Sequence, residues 1–160
     1  MRRVTRLITD DHVAALRAML SEDADEAERL GDRVARSDEP LVFNAIIAAA
    51  FTLAVHRRFG GGYTVADIIH FVAHERTRFD DSADDFDPRV AERLTLAALG
   101  DGSIEGVEDE AKANAQIALL MGLVDDEDFD DAGLDEFLDE ARKVAEAAAP
   151  QLEKLLRERQ

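Results

Sequence analysis

The sequence predicts an all-α protein: a single-domain bundle of six or seven helices around a central apolar helix at about residues 41–58. Three observations predict it. Apolar residues recur at three- and four-residue spacings almost throughout, and no stretch alternates as a half-buried strand does. Residues 41–55 are apolar on nearly every side, the pattern of a helix enclosed by other helices. Capping residues and glycines punctuate the chain at helix-length intervals. With 160 residues, 46% of them apolar, the chain has material for one core, and no segment has the composition of a linker. One domain over 1–160 is the expectation.

The first helix starts at Thr9 or Asp10, where Asp10 and Asp11 face the positive end of the helix dipole. Val13, Leu20, Ala27 and Val34 recur every seven residues, with Leu16 and Leu30 beside them, so the helix extends to about Arg36. Ser21 is where it has room to break. Pro40 suits the first turn of the central helix, because its missing N–H has no intrahelical partner there. Asn44 and Thr52 are that helix's only polar side chains before His56, and Gly60, Gly61 and Gly62 end it. Thr64 then caps a helix to about Phe79, with Asp67 placed for a capping box. Asp87 followed by Pro88 starts a helix that ends at Gly100, and Ser103 starts one that ends near Gly122. The last helix begins after Asp130 or Asp131. Leu134, Leu138, Ala141, Ala145, Ala148, Leu152 and Leu155 form a heptad seam along it, and Pro150 kinks or divides it.

Charge and composition exclude several functions. The 19 basic and 36 acidic side chains give a net charge of −17, which repels nucleic acid and anionic lipid. Arginine outnumbers lysine 16 to 3, a bias that a GC-rich genome or adaptation to salt produces. The absence of cysteine removes disulfides, thiolate metal sites and a cysteine nucleophile. Residues 41–55 rise only about 22 Å as a helix, short of the roughly 30 Å hydrocarbon core of a membrane. No apolar run follows the arginines before Thr9. The expectation is a cytoplasmic, acidic protein without a membrane span.

The sharpest constellation lies on the helix from Thr64 to Phe79. There Val65, Ile68, Ile69, Val72 and Phe79 form an apolar stripe, while Asp67, His70, His74 and Arg78 share the opposite face. Asp67, His70 and His74 are three and four residues apart, so one divalent metal ion is within reach of all three. A solvated polar face is the competing account. Arg57, Arg58, Arg76 and Arg78 make residues 55–79 locally basic, fitted to an anion or to acidic segments such as 125–140, which carry ten acids and no base. The same region permits a helix-turn-helix reading, a DNA-binding regulator, against which the overall charge stands.

Other motifs are incomplete. His74-Glu75 lacks the second histidine of a zinc-protease helix, and the triglycine turn lacks the lysine of a phosphate-binding loop. Asp128, Asp130 and Gly133 match three positions of an EF-hand loop, but Ala132 and Asp139 break it. No catalytic set emerges, and no cofactor beyond a divalent metal is predicted. The reading is therefore a non-enzymatic helical interaction or regulatory protein acting through protein–protein contacts, a homodimer joined by its heptad-patterned terminal helices. The alternative is a metal-dependent enzyme or metal-binding protein using Asp67, His70 and His74.

Overall fold

The computed structural model describes residues 8–21, 24–37, 40–77 and 87–158. It is all-α: among these residues there are eight helices and no strand. They are α1 (Asp10–Leu20), α2 (Ala24–Ser37), α3 (Pro40–Phe59), α4 (Val65–Thr77), α5 (Pro88–Ala98), α6 (Asp109–Glu127), α7 (Asp131–Ala147) and α8 (Ala149–Glu158). The count exceeds six or seven because α1 ends before Ser21 and a break at Ala148 precedes Pro150. No helix among the described residues is long and apolar enough to cross a membrane. The backbone divides into two compact units, one formed by Met1–Ala50 with Asp128–Gln160, the other by Phe51–Glu127.

In the first unit, Thr9 caps α1 in a capping box that uses a histidine in place of an acid. The Thr9 N–H donates to His12 Nδ1 at 2.9 Å, and the His12 N–H donates back to Thr9 Oγ1 at 3.4 Å. His12 is buried, its ring stacked on Phe43 with centroids 6.2 Å apart. Ala15, Ala18 and Leu30 form a core cluster with Ala14, Ala27 and Phe43 against it. The expected seam is thus displaced: Leu16 and Leu30 are buried, whereas Val13 and Leu20 are only half-buried. Alanines let α1 and α2 approach closely, and the buried stripe moves toward them.

Asp130 caps α7 by accepting from Gly133 N–H at 2.7 Å, so Asp131–Asp139 is helix and not a calcium loop. Leu134, Phe137, Leu138, Ala141 and Ala145 of α7 are buried, so this part of the heptad seam is covered within one chain. Leu152 and Leu155 lie outside the described side chains. Arg142 ties α7 to the start of α1, donating to Asp10 Oδ1 at 2.8 Å and to the Ile8 carbonyl at 2.9 Å. The bond to Asp10 holds its pKa above the ordinary arginine value, with burial opposing. Arg17 of α1 reaches Asp135 at 2.7 Å on the same helix pair. Exposed pairs of this kind contribute about 0–1 kcal/mol each, so they set register more than stability.

The second unit contains the C-terminal half of α3 with α4, α5 and α6. Phe51, Ala54, Val55 and Phe59 of α3 are buried; Thr52 is half-buried, and Asn44, in the other unit, is exposed. The chain leaves α3 through Gly60, whose N–H donates to the His56 carbonyl at 2.8 Å, and Gly62, whose φ of 131° excludes most side chains. Thr64 and Asp67 complete the expected capping box: Thr64 N–H donates to Asp67 Oδ2 at 2.8 Å, and Asp67 N–H to Thr64 Oγ1 at 3.2 Å. Asp87 caps α5 by accepting from Arg89 N–H at 2.9 Å, and Pro88 follows.

One expected element is corrected. Ser103 does not start a helix; its Oγ accepts from Glu105 N–H at 3.1 Å in a turn, and Gly106 has a φ of 83°. Arg93 of α5 holds this connection, donating to the carbonyls of Ser103 at 3.0 Å and Glu105 at 2.8 Å. The helix begins at Asp109 instead and continues through Gly122 to Glu127. α4 packs on α5 and α6, and α5 packs on α6.

Candidate metal centre

The orientation of α4 decides which side chains meet. Its buried stripe is Ile68, Phe71, Val72 and Glu75, turned from the expected one by roughly half of a 100° residue step. Val65 and Ile69 are consequently exposed, at 60% and 44%, while Phe79 and Arg78 lie outside the described residues. The turn follows from Phe59, whose ring meets Phe71 edge-on at 5.3 Å and so draws Phe71 into the core. It also carries a carboxylate inward: Glu75 has no exposed surface.

Asp67, His70 and His74 are exposed, on the outer face as expected. With Arg58, Phe59, Gly62 and Phe71 they line an open cavity of about 390 Å³. Asp67 is engaged in the cap of α4. Among the described residues, the three whose ligand atoms all lie within 4.8 Å of one another are His74, Glu75 and Asp126. His74 is the residue shared with the set expected from sequence, and Asp126 is the acid that a second helix, α6, brings to it. Ligands at about 2.0–2.2 Å from an ion stand roughly 3–4 Å from each other, so small side-chain rotations close this set around one cation.

α6 is shaped for the buried carboxylate. Gly122 and Asp126 are one turn apart on its surface, and a Cβ built on Gly122 would overlap the Glu75 carboxylate at Cδ and Oε2. A glycine within a helix costs about 1 kcal/mol relative to alanine, and here the missing side chain is the space Glu75 occupies. Carrying a carboxylate out of water is costly without compensating charge or hydrogen bonds. His74 and Asp126 stand beside that carboxylate.

Arginines frame the acids of α6. Arg57 donates to both oxygens of Glu127, at 2.8 and 2.9 Å, and Arg58 reaches Asp126 Oδ2 at 3.2 Å. These four residues, with Ala54 and Leu123, line a second cavity of about 300 Å³. The Arg58 guanidinium carbon also stands 5.8 Å from the centres of both the Phe59 and Phe71 rings. Arg76 is exposed on α4.

Two of the three grouped residues escaped the sequence reading. Glu75 follows Ile68 by seven residues, the phase of the apolar stripe, and that spacing was its signal. Asp126 had a fainter one, an interior glycine one turn before it on a helix of small and apolar residues. No protein-family model, curated protein or solved structure matches this chain.

Proposed function

We propose that the second unit is a divalent-metal-binding module in which His74, Glu75 and Asp126 hold one ion. The observation that carries this reading is the buried Glu75 carboxylate lodged against Gly122, beside a histidine and a second carboxylate. One imidazole and two carboxylates suit zinc, manganese or iron(II). His74 and Asp126 are exposed, so solvent or a ligand has access to the remaining coordination positions. Such an ion supplies Lewis acidity or an activated water.

Protein purified without an affinity tag is expected to retain about one equivalent of a transition metal by elemental analysis. Added Mn²⁺ or Zn²⁺ should stabilise the metal-free protein by about 2.7 kcal/mol at a hundredfold excess over the dissociation constant, a rise of a few degrees in Tm. No retained metal together with no thermal shift for either ion would refute the reading.

A second reading, an interaction protein acting through protein–protein contacts as a homodimer, has one observation in its favour. Val65 and Ile69, one turn apart, expose an apolar pair on the outer face of α4. Sedimentation then shows a dimer at micromolar concentration that Ile69→Glu converts to monomer. A monomer for both proteins rules this surface out.

A further inference from the structure

Arg58 lines two cavities of the second unit. It lines one with Asp126 and Glu127, and the other with Asp67, His70 and His74. Its charge is directed at Asp126, 3.2 Å away, which is also one of the three grouped ligands. The two roles of Asp126 compete. A divalent ion drawing on that carboxylate neutralises the charge that Arg58 answers, and a guanidinium with five donors then faces an open cavity beside the ion.

Resting on the metal-binding reading, we propose that the loaded site takes a phosphate-like oxyanion, shared between the ion and Arg58. In the absence of metal, Asp67 lines the cavity and Asp126 engages Arg58, so the guanidinium charge is already answered and a further anion is disfavoured. With the ion on Asp126, that carboxylate is balanced by the metal and the Arg58 charge is left for an anion. Phosphate suits the result, since one oxygen completes the metal's coordination while others meet the planar guanidinium fork. The aromatic rings of Phe59 and Phe71 hold the guanidinium in position, so little conformational entropy is lost when it binds. The occupant is therefore an anion admitted only after the metal.

Calorimetric titration of the full chain tests this in two stages, Mn²⁺ first and inorganic phosphate second. Phosphate is expected to bind the Mn²⁺-loaded protein at least tenfold more tightly than the metal-free protein. Arg58→Gln should weaken phosphate tenfold or more while Mn²⁺ binds as well as before or more tightly, because Asp126 loses a competitor. Arg58 is about half exposed, so this replacement leaves the fold in place. If Mn²⁺ binds but phosphate does not, or if Arg58→Gln leaves phosphate affinity unchanged, the oxyanion proposal is overturned and the metal site stands. Acetate binding as tightly as phosphate overturns the phosphate class. Failure of Mn²⁺ in the first stage removes both.

Discussion

Glu75→Gln is expected to lower Mn²⁺ and Zn²⁺ affinity by at least about a hundredfold, more than loss of an outer-shell partner does in metal sites. Glutamine preserves the length and shape of the side chain, so the fit against Gly122 remains. What disappears is the charge, and with it, on the metal-binding reading, a ligand that the packing of α4 on α6 holds in place. In the metal-free protein the same change should leave stability unchanged or raise it, because an amide is far easier to bury than a carboxylate. Calorimetry and urea unfolding on the same samples separate this from a structural role. A carboxylate serving only a buried ion pair would give the reverse pattern, a loss of about 3–5 kcal/mol with metal affinity unaltered.

Gly122→Ala carries the largest expected effect on folding. Elsewhere in an exposed helix this replacement stabilises by about 1 kcal/mol. Here the new methyl group enters space that Glu75 fills, and overpacking of that kind costs about 1–3 kcal/mol. Glu75 is fully buried, so its carboxylate moves aside only by displacing packed neighbours. The cost should vanish in a Glu75→Ala background, where the two methyl groups share the vacated volume. A double-mutant cycle by urea denaturation is thus expected to show a coupling of about 1–3 kcal/mol between the positions. Additive effects would mean that Gly122 is tolerated for some reason other than the carboxylate.

Local chemistry was legible in the sequence, and long-range fit was not. The box of Thr64 and Asp67, the start at Asp87 and Pro88, and the cap at Asp130 each involve residues within three positions of one another. Such interactions depend on little beyond their own segment. Ser103 shows the limit, since a hydroxyl that caps a helix also closes a turn, and here it takes the Glu105 N–H instead. Gly122 shows another: glycine usually ends a helix, yet α6 continues through it, and what its bare face accommodates is the carboxylate of another helix. The all-α class needed periodicity alone. The phase of α4, and so the identity of the site, depended on Phe59 meeting Phe71 across a turn. His74 stands out in the sequence because it lies on a plainly polar face. Glu75 was overlooked because an acid in an apolar stripe reads as surface until its neighbours are known.

The notch at Gly122 also bears on how this chain changes over generations. A relative that gains any side chain at position 122 must first shorten the residue at 75, and one that shortens residue 75 is released to lose the glycine. The two positions, 47 apart in sequence, are expected to change as a pair, with small–small and glycine–glutamate as the favoured combinations. Lineages would then sort into two kinds: those that kept the buried acid, and those that exchanged acid and glycine for a tighter helix contact.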